Sequence, residues 1–179
     1  MKIKYDVKKI KDIKADIVSS VTFEDQVSTK MHWLNTLFKG TLDTLIETND
    51  FKAKASTSIL TYLGPDNRSK RLMVIGLGNS KEITLEGIRK SYATAAKKLN
   101  AMKLTSVGFE VPDLAYIKSV TNASHYDIMQ AICEGVFLTQ YSPKKYHAKS
   151  DFVPFNEVIF FTDSPKYTRE AQEALKDAK

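Results

Sequence analysis

The sequence predicts a single α/β domain, and three observations carry that expectation. Runs of strand-like character recur between stretches whose apolar residues fall at helical spacing. The length of 179 residues suits one domain and can bury a core without disulfide or metal staples. No internal repeat, low-complexity segment or Pro/Gly-rich linker divides the chain.

The elements follow in order. Ile3, Tyr5 and Val7 alternate with polar residues and predict a strand, and Asp16–Phe23 predicts a second. Leu34, Leu37, Phe38, Leu42, Leu45 and Ile46 fall on one face of a helix, which Asn49-Asp50 closes. Ser58–Leu63 and Arg71–Ile75 flank the turn Gly64-Pro65-Asp66-Asn67, as in a hairpin. A strong helix then presents Leu85, Ile88, Tyr92, Ala95, Leu99 and Met102, with Thr84 as its N-cap and Glu86 in the first turn. The strand Ser106–Val111 ends at Pro112. Met129, Ile132, Cys133, Val136 and Phe137 form the face of a further helix, opened by Ser124 with Asp127 in its first turn. Glu157–Phe161 is the last strand. Ser164-Pro165 reads as the start of a final helix whose face is Tyr167, Ala171, Ala174, Leu175 and Ala178. No Gly, Asn or Pro stops that helix, which suggests a chain cut from something longer.

Composition excludes several classes. Apolar residues make up 42% and charged residues 27%, the balance of a folded globular protein rather than a disordered one. The single cysteine excludes an internal disulfide and a cysteine-rich zinc site, and points to a reducing, cytoplasmic setting. The lysine-punctuated start is no secretory signal, and no apolar run approaches the ~20 residues needed to cross a bilayer. The formal charge of +6 could attract nucleic acid or acidic partners, but the lysines are spread along the chain.

The candidate chemistry thins out on inspection. Gly76-Leu77-Gly78 sits between a strand and a helix, where a phosphate cradle would lie. The dinucleotide fingerprint needs a third glycine where Lys81 stands, so a tight turn explains both glycines. His32, His125 and His147 lie far apart, with no pair at metal-ligand spacing on one helix. Cys133 lies on an apolar face and reads as a small core residue rather than a nucleophile. Glu110, Asp113 and Asp127 occur at element ends without forming a recognisable acid/base pair. Tyr141, Lys144, Lys145, Tyr146 and Lys149 interleave aromatics with charge, as single-strand binders do, although a polar loop leaving a helix would look the same. No catalytic, cofactor-binding or metal-ligating residue is therefore assigned within the chain.

The stretch from Leu72 to Leu104 resembles the amino-terminal domain of the leucyl aminopeptidase (cytosol aminopeptidase) family. The residues that carry the resemblance are Val74-Ile75-Gly76-Leu77-Gly78, Thr84–Lys90 and the alanine-rich Ala93–Leu99. A second block, Ala131–Leu138 running into Tyr141 and Tyr146, agrees, with Pro143 standing where the family has an aromatic. The opening Asp16-Ile17-Val18 and Phe23-Glu24-Asp25 also resemble the family's start. The resemblance implies a macro-domain-like, three-layer α/β/α sandwich with a mixed sheet. It implies a non-catalytic amino-terminal domain over residues 1–165, and a connector helix starting within 166–179 that leads to a catalytic domain. That domain would carry two divalent metal ions, zinc or manganese, in a parent that removes amino-terminal residues from peptides as a homo-oligomer, usually a hexamer. The family's Asn-Thr-Asp-Ala-Glu-Gly-Arg metal motif is absent here. Two other functions stay open: a macro-like nucleotide-binding module using a pocket beside Gly76–Asn79, and a basic nucleic-acid module with Lys144, Lys145, Lys149 and Arg89 on one face. Any DNA binding is expected to be weak.

Overall fold

A computed structural model describes residues 1–141 and 153–178. Its centre is a six-stranded mixed sheet in the order β1-β6-β5-β2-β4-β3. The strands are β1 (Lys2–Val7), β2 (Ile17–Thr22), β3 (Ser58–Tyr62), β4 (Arg71–Gly76), β5 (Ser106–Glu110) and β6 (Glu157–Thr162). All neighbours run parallel except the β3–β4 hairpin at one edge.

The interior strands are apolar on both faces, which is the signature of a sheet covered on both sides. Alternation sends Ile17, Met73, Ile75, Val107, Phe109, Val158 and Phe160 to one core. It sends Val18, Leu72, Val74, Ile159 and Phe161 to the other. The first core is roofed by α3 (Leu85–Ala101), α4 (Leu114–Thr121), α5 (His125–Phe137) and α6 (Thr168–Asp177). The second is roofed by α1 (Val27–Leu37), α2 (Asp43–Thr48) and a short helical turn at Ile10–Asp12. The three-layer α/β/α sandwich with a mixed sheet is thus the observed architecture.

Helix boundaries depart from the sequence expectation at three places. The single apolar stripe from Leu34 to Ile46 is two helices, because Lys39 (φ 56°) and Gly40 (φ 82°) turn left-handed and end α1. Asn35 fastens the corner, its Oδ1 accepting from Leu42 N at 2.7 Å and its Nδ2 donating to Asp43 Oδ1 at 2.6 Å. Helix α4 was not expected: Asp113 caps it by accepting from the N–H groups of Ala115 and Tyr116. Helix α6 starts at Thr168 rather than at Ser164-Pro165, because the Ser164 hydroxyl accepts from Lys166 N and Tyr167 (φ 62°) redirects the chain. Met102, expected on the α3 apolar face, is exposed past the end of that helix. The Thr84 cap and the Ser124/Asp127 capping box form as expected.

The apolar face of α6 is used within this domain, where Ala171, Ala174 and Leu175 are buried in the first core. Tyr126 on α5 donates to Asp177 Oδ2 at 2.8 Å across the same contact. Helices α3 and α5 meet at Gly135, where a Cβ would stand 2.5 Å from the Arg89 carbonyl and 3.1 Å from Tyr92 Cβ. Arg89 closes over that contact, paired with Glu134 at 2.8 Å and with Glu86 of its own helix.

Gly135→Ala should therefore force the two helices apart and destabilise the fold by about 1–3 kcal/mol in chemical denaturation. A variant as stable as the parent would show that the helices do not meet there. Acid should also destabilise the fold. Burial tends to raise the Asp16 carboxyl, but hydrogen bonds from Ser106 N, Thr105 N and Thr105 Oγ1, aided by Arg71, bring it below the usual carboxylate range. Glu157 is held low chiefly by Lys4. Lowered folded-state values mean the unfolded chain binds more protons. The contribution is complete above the ordinary carboxylate range near pH ~4 and is lost as pH falls through the lower folded-state values. Urea midpoints of wild type and Asp16→Asn should converge on acidification below pH ~4, where the Asp16 advantage is lost.

Candidate functional site

A cleft of about 820 Å³ lies at the carboxyl ends of β2, β5 and β6. Open parallel sheets place ligand crevices there, where the loops leaving successive strands diverge. Its floor is built around Glu110, the last residue of β5. One oxygen, Oε2, accepts from Ser20 Oγ at 2.5 Å and from Val21 N at 2.9 Å. The other, Oε1, accepts from Lys30 Nζ at 2.8 Å. The Glu110 carbonyl accepts from Tyr92 Oη at 2.5 Å. Lys30 lies 4.7 Å from the centre of the Trp33 ring, a cation–π contact at the rim. Asp25 accepts from Ser80 N at 3.1 Å and Ser80 Oγ at 2.6 Å, and the Ser80 hydroxyl is the main reason its carboxyl sits low.

The carboxylates noticed in the sequence are thereby accounted for, and they do not converge on one point. Glu110 is an ion-pair partner, Asp113 caps α4, and Asp127 completes the capping box of α5. Among the described residues, no group of three or more His, Cys, Asp and Glu side chains could hold a metal ion. His32 Nδ1 on α1 donates to Ser28 O, and His125 at the start of α5 stacks on Tyr167 at 3.6 Å, on opposite sides of the sheet. His147, Pro143, Lys144, Lys145, Tyr146 and Lys149 lie outside the described residues. Tyr141 is exposed. Arg89, expected beside those lysines, is committed to Glu134 and Glu86.

The Gly76-Leu77-Gly78 loop is closed by the chain itself. Gly76 N donates to Thr57 O, Leu77 N to Thr22 O and Gly78 N to Ala53 O, each at 2.9–3.0 Å. A Cβ on Gly76 would meet the Ala53–Lys54 backbone within 2.5 Å, and Gly78 has φ 81°. Both glycines serve close approach and turning, and none of the three N–H groups is free for a phosphate.

Sequence reasoning missed Ser20, Asp25, Lys30 and Trp33. The first is hidden inside an apolar-looking strand, and the last two lie one helical turn apart on the polar side of α1, without any motif. Their partners come from β5 and the β4–α3 loop, which only folding brings near.

This architecture, a mixed sheet between two helical layers with its cleft at the strand carboxyl ends, is a macrodomain-like α/β/α sandwich. The macrodomain of Mycobacterium tuberculosis DarG matches over 90% of this chain and 98% of its own, with a TM-score of 0.59 and 8% identity. A mutant of tomato leucine aminopeptidase matches over 99% of this chain and 36% of its own, with a TM-score of 0.75 and 15% identity. Within that class the sequence is decisive: residues 20–150 match the cytosol aminopeptidase family, N-terminal domain, and the chain belongs to that family. The probable cytosol aminopeptidase of Thermosynechococcus vestitus is 29% identical over 143 residues, covering 78% of this chain and 27% of the relative. That of a Sulfurihydrogenibium species is 25% identical over 161 residues, covering 88% of this chain and 31% of the relative. The chain spans about a quarter to a third of the length of these relatives.

Cys133 is fully buried between α3 and α5, and burial pushes its thiol up to about 12. It should stay silent to a thiol-reactive disulfide reagent at pH 8 and react once denaturant is added. Rapid labelling of the folded chain would show an exposed thiolate instead.

Proposed function

We propose that this chain serves as the non-catalytic amino-terminal domain of a metal-dependent leucyl aminopeptidase, supporting assembly or substrate access. The observation that carries the reading is the match of residues 20–150 to the N-terminal domain of that family. The use of Glu110, Asp113 and Asp127 as ion-pair partner and helix caps is consistent with it. In this reading the two divalent ions, zinc or manganese, and the residues that hydrolyse the peptide bond belong to a carboxyl-terminal domain. Residues 166–179, which include α6, begin the connector towards it. The parent acts in the cytoplasm as a homo-oligomer, most simply a hexamer, and removes amino-terminal residues from peptides.

The nucleotide-binding alternative has less support, because the loop donors it needs are occupied by Thr57, Thr22 and Ala53. The nucleic-acid alternative rests on lysines outside the described residues and on Arg89, which already has two carboxylate partners.

The test is direct. Two-metal hydrolysis needs carboxylates converging on two cations ~3.5–4 Å apart. The purified chain should leave leucine p-nitroanilide intact with added zinc, manganese or cobalt. A longer chain that includes the carboxyl-terminal domain should hydrolyse it. Chelator-sensitive turnover that co-purifies with the 179-residue species would overturn the reading.

A further inference from the structure

The cleft differs in charge from the molecule around it. The chain carries a formal net charge of +6. The cleft is lined by four carboxylates, Asp25, Glu110, Asp113 and Asp163, against the two ammonium groups of Lys30 and Lys166. Lys30 and Glu110 neutralise one another at 2.8 Å and Asp113 is taken up by the N-terminus of α4, which leaves Asp25 and Asp163 against Lys166. Asp25 keeps its negative charge because the Ser80 hydroxyl and N–H donate to it. Anionic ligands are therefore disfavoured here and cationic ones favoured, by the sign of the local potential.

The walls add a second, independent indication. Five aromatic residues line the same cleft: Tyr5, Phe23, Trp33, Tyr116 and Tyr167. Trp33 is 44% exposed, unusually open for so large a side chain. Aromatic faces and carboxylates together are the surroundings that hold ammonium and guanidinium groups. The chain already shows such a group in place: the Lys30 ammonium lies over Trp33 and on Glu110 at once. At about 820 Å³, the space is of the size that encloses a whole small ligand rather than one side chain.

We infer that this cleft is a binding site for short basic peptides, whose lysine or arginine side chains lie between Trp33 and the carboxylates. The guanidinium or ammonium of the ligand takes the position Lys30 partly fills, with Asp163 and Asp25 at the rim. The choice of a peptide over a free amine rests on the aminopeptidase reading. The cationic character rests on the cleft alone.

Trp33 is the only tryptophan of the chain, so its emission reports on the site directly. The 179-residue chain would be titrated with acetyl-tetra-arginine amide, acetyl-tetra-glutamate amide, spermine and ADP-ribose, with calorimetry in parallel. The arginine peptide should change Trp33 emission saturably and bind more tightly than the other three. Asp163→Asn removes one exposed charge and should weaken it about two- to fivefold. Lys30→Met removes the internal competitor and should strengthen it. If that variant fails to unfold cooperatively, the Asp163 substitution at its exposed position decides alone. Absence of heat and of emission change with the arginine peptide overturns the inference. So does indifference to Asp163→Asn, or tighter binding of the glutamate peptide or ADP-ribose. Spermine binding as tightly as the peptide also overturns it, while leaving the aminopeptidase reading untouched. That reading stands or falls on hydrolysis by the longer chain.

Discussion

Glu110 joins the sheet to both helical layers. Its carboxylate ties the end of β5 to Ser20 and Val21 of β2, and through Lys30 to the helical layer on one side. Its carbonyl accepts from Tyr92 of the helical layer on the other side. A half-buried carboxylate needs partners for both oxygens, because an unpaired buried charge is far more costly than a paired one. Strand pairing, the seating of α1 and the seating of α3 therefore meet at one group.

The same pairing accounts for several other acidic residues among the described ones. Metal-assisted hydrolysis requires carboxylates left open to cations and converging on one point. Here Asp16 brackets the start of β5, Asp113 and Asp127 cap helices, and Glu134 pairs with Arg89 across the α3–α5 contact. Each group has been given a structural partner of its own. What these pairings leave open is the cleft with its aromatic walls.

The strand-to-helix glycines show how a local motif can carry two meanings. In a nucleotide binder, such a loop would direct its N–H groups outward to a phosphate. Here residues 53–57 cross over it and take the Gly76 and Gly78 donors while Thr22 takes that of Leu77, and the close approach is possible only because Gly76 lacks a Cβ. The glycines are thus needed for packing one backbone against another. The likeness to macrodomains is one of architecture.

Much of the fold was legible before folding, because its cause is local. The short apolar runs of β4, β5 and β6 and the helical stripes of α3 and α5 specify burial directly. The Thr84 and Ser124 caps involve neighbours within three residues. The family was legible for the same reason: its blocks lie in those elements. Boundaries set by competition between local signals were not. The Lys39-Gly40 break interrupts a continuous apolar stripe, α4 is short and rich in residues that suit a strand equally well, and the Ser164 turn replaces the expected cap. The cleft was legible least of all. Ser20, Lys30 and Glu110 are separated by up to 90 residues, and Asp25 meets Ser80 across 55. The sequence by itself determined the strands, the helices with strong apolar stripes, and the family. Only the tertiary structure decided which charges face one another, because ion pairs and hydrogen bonds between distant residues exist only after chain topology has brought them within reach.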